Sequence, residues 1–332
     1  MPRKKKPGLL DATGAYKPFR YPFAYDAWLL QNQIHWLPEE IPLGEDTKDW
    51  AKKLNDKERN LLTQIFRFFT QADVEVNDCY MTKYSAVFKP TEVRMMLAAF
   101  SNMETVHIAA YSLLLDTIGM PESEYSAFLE YEEMKAKSDF LHTFDMNDRR
   151  GIARTLAAFS AFTEGVQLFS SFVILLNFTR FGKMKGMGQI VTWSVRDESL
   201  HCESMIKLFR VFIKENRDIW DDELKQEIYA IAEETVRLED SFIDLAFEQG
   251  GIEGLEPEEV KKYIRYIADR RLIELGMKSI FHQRSNPLEW VDHILNGIEH
   301  ANFFETRATE YTRAATTGEW EDAWDIHDKD QK

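Results

Sequence analysis

The chain has 332 residues, 44% of them hydrophobic and 13% aromatic, enough to bury one large core or two medium ones. A net charge of −15 argues against a nucleic-acid-binding surface, and two cysteines argue against a disulfide framework and for a reducing compartment. The basic start, Arg3 to Lys6, leads into no apolar stretch, and runs such as Phe172–Leu176 fall far short of a membrane span, so a soluble, cytoplasmic protein is expected.

Helical periodicity dominates the sequence, and strand-like alternation is hard to find. Residues 1–55, rich in Pro and aromatics, read as an extended arm lying over a helical body that runs from 56 to 311. The first long amphipathic segment covers Asp56 to Phe88 and is ended by Lys89-Pro90. A second runs from Thr91 to Ile118 and is closed by Gly119 and Met120-Pro121. A shorter helix is expected near Glu122–Phe144, then a long one from Asp148 to Phe181 with Gly182 as its cap. Further helices are expected over Gly188–Glu215, Asp221–Gln249 and Pro257–Lys278. Gly250, Gly251 and Gly254 form the turn before the last of these, and Pro257 suits its first position. The final periodic segment ends at Tyr311. Residues 312–332 are polar and acidic with isolated Trp320 and Trp324, and read as a flexible tail.

Among eight His, only His107 and His201 stand three residues after a Glu, as Glu104-x-x-His107 and Glu198-x-x-His201; Asp139-x-x-His142 is a near-match. On a helix that spacing presents a carboxylate and an imidazole on one face. Two such helices, with one more carboxylate from each of two others, make the dinuclear cage of ferritin-like four-helix proteins. The helix before Glu104 offers Asp73 and Glu75, between which spacing does not choose. The helix before Glu198 offers Glu164, embedded in Phe159–Phe169 among apolar neighbours. An unpaired carboxylate buried there costs several kcal/mol, so it is protonated, paired or bound to metal. Oxygen donors with two nitrogens suit iron or manganese better than structural zinc. Tyr111 lies two turns after Glu104 on the same face. Asp197, just before Glu198, can take the second N–H of a metal-bound imidazole or pair with Arg196. Cys79 and Cys202, each on a ligand-bearing helix, are expected to be buried structural thiols.

From about Tyr25 to Tyr311 these residues resemble the small, radical-generating subunit of class I ribonucleotide reductases. In that family an Asp ligand precedes Glu-x-x-His by 31 residues, a Tyr follows that Glu by seven, and a further Glu precedes a second Glu-x-x-His by 34. Asp73, Glu104, Tyr111, Glu164 and Glu198 keep those intervals, which selects Asp73 over Glu75. Arg196-Asp197 before the second motif matches as well. Trp36-Leu37-Pro38-Glu39-Glu40 is similar to the stretch bearing the buried Trp of the radical path, and Phe303-Phe304 followed by Tyr311 is similar to the segment with the interface Tyr. One departure is Ser194, one turn before Glu198, where a branched apolar residue is expected.

The resemblance implies an all-α, ferritin-like bundle with antiparallel neighbours. It also implies a dinuclear centre, Fe2 first with Mn2 or Mn/Fe open, held by Asp73, Glu104, His107, Glu164, Glu198 and His201. Oxygen, or an oxidant supplied by a flavoprotein, would oxidise Tyr111 to a radical sheltered by Leu168 and Phe172. The hole would travel by His107, Asp197 and Trp36, then Tyr311, to a large catalytic subunit that reduces ribonucleotides. The small subunit would be a homodimer, bind no nucleic acid or membrane, and dock through its acidic tail. A ferritin-like store or ferroxidase, a ligand-binding dimetal oxidase and a metal-free helical interaction protein are the alternatives. None of them needs Tyr111, Trp36, Asp197 and Tyr311 together.

Overall fold

A computed structural model describes residues 7–12 and 14–294; Tyr311 and the predicted tail lie outside the described residues. Eight long helices carry the architecture. They are α1 (Pro22–Gln33), α2 (Asp56–Asp78), α3 (Thr91–Ile118), α4 (Glu132–His142), α5 (Arg149–Arg180), α6 (Lys185–Glu215), α7 (Asp222–Ala246) and α8 (Pro257–Glu274). No strand occurs among the described residues; the turn after α7 holds a single β-bridge, Ile252 to Leu255.

Local chemistry sets most of the boundaries. At the start of α2, Asn55 accepts from the Glu58 amide at 2.9 Å, while Glu58 accepts from the Asn55 amide at 3.1 Å. Asp148 and Asp221 cap α5 and α7 through the amides of Gly151 and Leu224. Gly119, at φ 77°, closes α3. Helix α6 starts at Lys185, before the expected Gly188, because its glycines serve close approach and do not break the helix. A Cβ on Gly186 would meet Asp46 Oδ2 at 2.6 Å, and one on Gly188 would meet Thr179 Cγ2 at 2.0 Å. Buried Asp46 accepts from the Gly186 and Met187 amides at 2.9 and 2.8 Å, so the N-terminal arm caps the helix that carries Glu198 and His201.

Two expectations are corrected. The first 55 residues are not simply extended: α1 packs along α3 and α6, with Pro22 at its first turn and Ala24, Ala27 and Gln31 buried. The helix expected over Glu122–Phe144 is broken into Ser123–Ser126, a 3₁₀ turn Ala127–Glu130, and α4, because Tyr131 is extended (φ −101°, ψ 121°).

The core is a four-helix body of α2, α3, α5 and α6, with α7 and α8 packed outside α5 and α4 against α7. Its fully buried rings include Phe66, Phe100, Phe162, Phe172 and Phe209, each contributing roughly 1.5–3 kcal/mol by burial. Helix α5 is, among the described residues, the one long and apolar enough to cross a membrane, but its apolar window is wholly buried in the bundle. Its centre, Ala157–Gln167, is wound as a π-helix with all eleven residues buried. There the Thr163 hydroxyl donates to the Ala158 carbonyl, five residues back, at 3.0 Å. Such wide turns recur at functional sites. A second one, Cys79–Tyr84, continues α2.

Candidate metal centre

Six ionisable side chains meet at the middle of the bundle: Asp73 from α2, Glu104 and His107 from α3, Glu164 from the π-helical turn of α5, and Glu198 and His201 from α6. None is more than 2% exposed. Each Glu-x-x-His pair turns both side chains inward, as its spacing requires.

The distances give the cage two sides. Glu104 places Oε2 3.5 Å from His107 Nδ1 and Oε1 3.0 Å from His201 Nδ1. Glu198 does the same, with Oε1 at 3.3 Å and Oε2 at 3.7 Å from the same two nitrogens. These two carboxylates therefore span the imidazoles. Glu164 Oε1 stands 3.9 Å from His201 Nδ1, and Glu104, Glu164, Glu198 and His201 each bring a ligand atom within 4.8 Å of the others. Asp73 lies on the opposite side, with His107, Glu104 and Glu198 as its charged neighbours. Glu75 points elsewhere, bonded to Ser138 and lining a small cavity with Lys137 and Gln167. Asp139 pairs with Lys135 on the surface, so the Asp139–His142 near-match is not part of the site.

Both imidazoles are oriented from outside. His107 Nε2 is 3.2 Å from Asp197 Oδ2, which also accepts from Trp36 Nε1 at 2.8 Å. His201 Nε2 is 3.0 Å from Gln31 Oε1, and Gln31 Nε2 donates to Asp197 Oδ1 at 3.1 Å. An ionised carboxylate only accepts, which fixes the Gln31 amide with its oxygen toward His201. Both His are thereby set to keep a proton on Nε2 and to turn Nδ1 toward the cage, as ligand atom once a metal displaces any proton there. Asp197 also lies 3.8 Å from Arg196 Nε, but both side chains are buried, so this contact is not the alternative surface salt bridge.

Asp73 Oδ2, both oxygens of Glu104 and of Glu198, Glu164 Oε2 and His201 Nδ1 are buried without a hydrogen-bond partner. Leaving so many acceptors unpaired costs several kcal/mol per charge. The protonation pattern follows from that. Burial, then Glu198 and Glu104, push Glu164 well above the carboxylate range; burial also raises Asp73 and Glu198. Against burial, the nearby His107 and His201 imidazoles hold Glu104 down at about 2, and the nearby carboxylates of Asp197, Glu104 and Glu198 push His107 up. Four carboxylates and two imidazoles balance the charge of two divalent cations, and this donor set fits iron or manganese.

Tyr111, buried at 4% exposure, stacks on Phe69 at 4.6 Å, and Phe69 stacks on Phe172 at 5.6 Å. Leu168 is likewise buried. The Tyr111 hydroxyl has no hydrogen-bond partner, and neither has the buried Ser194 hydroxyl nearby. Burial, with Asp73 adding to it, pushes this phenol up. A phenol so hard to ionise gives up an electron most easily together with its proton. Trp36 is buried, its ring 6.1 Å from His107 and 5.2 Å from Trp193. Both thiols are buried, and burial pushes Cys202 up to about 12 and Cys79 up as well, so neither is a nucleophile.

Sequence reasoning missed Gln31, Trp193 and Tyr80, whose hydroxyl donates to Glu164 Oε1 at 2.6 Å. Tyr80 carried a readable signal, standing seven residues after Asp73 as Tyr111 does after Glu104. Gln31 carried none, since its partners lie 166 and 170 residues away.

Residues 14–287 match the family described as ribonucleotide reductase, small chain. A probable ribonucleoside-diphosphate reductase small subunit of Invertebrate iridescent virus 6 is 46% identical, covering 95% of this chain and 98% of that protein. The ribonucleoside-diphosphate reductase subunit beta of Chlamydia pneumoniae is 32% identical, covering 90% and 89%. Among solved structures, the ribonucleotide reductase R2 subunit from Clostridium botulinum shares the fold with a TM-score of 0.80 at 24% identity, over 87% of this chain and 94% of that one.

Proposed function

The chain belongs to the family of ribonucleotide reductase small chains, and we propose that it stores an oxidising equivalent on Tyr111 and delivers it to a large catalytic subunit. One observation carries the reading. A buried cage of Asp73, Glu104, His107, Glu164, Glu198 and His201 has a shielded Tyr111 beside it, and a hydrogen-bonded line from His107 through Asp197 to Trp36 leaves it. A dinuclear iron or manganese centre, with iron the first expectation, supplies the oxidising chemistry when bound.

The chain's own residues do the rest. Glu104 and Glu198 offer an oxygen to each side, and Asp73 and Glu164 complete the ends. Tyr111 would give one electron and its hydroxyl proton to the oxidised centre, and the Phe69–Phe172 stack keeps water and reductants from the tyrosyl radical left behind. Asp197 accepts from the Trp36 indole, so a proton can move along that bond as the electron leaves the ring. From Trp36 the route continues to Tyr311, outside the described residues, and so to the large subunit, where ribonucleotides are reduced. The acidic tail docks there, the small subunit pairs with a second copy, the oxidant is O₂ or is supplied by a flavoprotein, and the setting is the cytoplasm. A ferroxidase or ligand-binding oxidase requires no line from the cage through Asp197 to Trp36.

The test is metal analysis joined to low-temperature electron paramagnetic resonance. About two metals per chain are expected, with a tyrosyl signal that disappears in Tyr111→Phe while the metals stay. Full reductase activity in Tyr111→Phe would refute radical storage at that residue. Tyr311→Phe should keep the radical in the isolated subunit and lose turnover with the partner.

A further inference from the structure

Tyr80 is fully buried beside Glu164, whereas Tyr111 has Asp73 as its first charged neighbour. It stands two turns after Asp73, in the π-helical turn Cys79–Tyr84, and Glu164 sits in the π-helical turn of α5. Its hydroxyl donates to Glu164 Oε1 at 2.6 Å, and Glu164 Oε2 has no partner. Its ring is wedged by edge contacts with Tyr84 at 5.6 Å, Phe100 at 6.1 Å and His201 at 6.1 Å. Tyr84 is anchored in turn to the Ser160 hydroxyl at 3.1 Å and the Thr155 carbonyl at 3.3 Å, both on α5. The donor is thus held in place by groups outside the cage.

Taking the cage as the dimetal site proposed above, we infer that Tyr80 is a positioning residue that occupies one oxygen of Glu164 and leaves Oε2 as its ligand atom. Glu104 and Glu198, whose oxygens are all unpartnered, are free to span both metals. Glu164 is restricted to one end through one oxygen. Without the Tyr80 hydroxyl, Oε1 becomes available, and the carboxylate can chelate or swing inward to bridge. The two tyrosines flanking the cage therefore have different tasks. Tyr111, with no hydrogen-bond partner, is set to be oxidised, and Tyr80, bonded to a ligand, fixes how that ligand binds.

The experiment loads the full-length protein with manganese(II), following affinity by titration and the coupled spin system by electron paramagnetic resonance. Tyr80→Phe is expected to fold, to bind manganese roughly 10- to 100-fold more weakly, and to give a shifted exchange-coupled spectrum. Tyr84→Phe keeps the ring that packs on Tyr80 and removes only a hydroxyl bonded to α5, so it is expected to weaken manganese binding less than Tyr80→Phe and to keep the wild-type spectrum. A wild-type spectrum and affinity in Tyr80→Phe overturn the inference while leaving the dimetal reading intact, as does an equal change in Tyr84→Phe. A wild-type chain that binds no manganese overturns both. Should Tyr80→Phe not fold, 3-fluorotyrosine at position 80 gives a second readout. Its fluorine resonance should broaden away on manganese loading, and a resonance that stays sharp overturns the inference.

Discussion

Loading the cage with divalent metal should release protons, so the apparent affinity should fall as the pH is lowered. Asp73 and Glu164 are pushed well above the carboxylate range, first by burial and then by neighbouring charges; Glu198 is raised by burial and Glu104. His107 is pushed up, against burial, by the nearby carboxylates of Asp197, Glu104 and Glu198. The metal-free cage therefore holds its protons to higher pH than free carboxylates and imidazoles do, and a metal must displace them. Each displaced proton changes the apparent affinity about tenfold, ~1.4 kcal/mol, per pH unit, and two change it about a hundredfold.

Folding of the metal-free chain has the opposite sign. Raised carboxyls and a raised His bind more protons folded than unfolded. Their contribution is present below the unfolded pKa values and is lost as the pH rises through the folded ones. Going from about pH 5 to about pH 8 should destabilise the metal-free form and tighten metal binding, so the gap in Tm between the two forms widens. At a hundredfold excess over Kd each bound metal adds about 2.7 kcal/mol, a shift calorimetry resolves. Manganese titrations in two buffers of different ionisation enthalpy count the protons released, and scanning calorimetry with and without chelator follows the gap. No proton release together with a pH-independent affinity would refute this account of the cage.

Trp36→Phe keeps an aromatic ring but removes the donor to Asp197, so metals and the Tyr111 radical should survive while turnover with the large subunit drops roughly 10²-fold or more. Unchanged turnover would take Trp36 off the route. Lys137 is fully buried, ion-paired with Glu239 and 3.5 Å above the Phe68 ring, and Glu239 also accepts from Ser170 at 2.7 Å. Lys137→Met should therefore cost about 3–5 kcal/mol in denaturant unfolding, most of it recovered in the Lys137→Met, Glu239→Leu pair. A single-mutant loss under about 1 kcal/mol would show that Glu239 is readily satisfied by other means.

Much of the site was legible because its signals are local. Glu104–His107 and Glu198–His201 are each one helical turn, and a helix long enough to show its period fixes which residues share a face. Carboxylates inside apolar runs, as at Glu164, announce themselves by the cost of burying them. Spacing left Asp73 and Glu75 open. Tertiary packing separates them, sending Glu75 to Ser138 and Asp73 to the cage. The broken helix before α4 and the π-helical turn of α5 were also out of reach, because an extended Tyr131 and a wide turn around Glu164 answer to neighbouring helices more than to local propensity.

The sequence by itself determined the all-helical class and singled out six candidate metal ligands and one candidate Tyr. All of these rest on intervals within single helices or on family spacing. Only the tertiary structure decided which oxygens are free, that Gln31 ties His201 to Asp197, and that Tyr80 claims one oxygen of Glu164. Those facts join residues 84 to 170 positions apart, and contacts at that separation follow from how helices pack and carry no periodic trace along the chain.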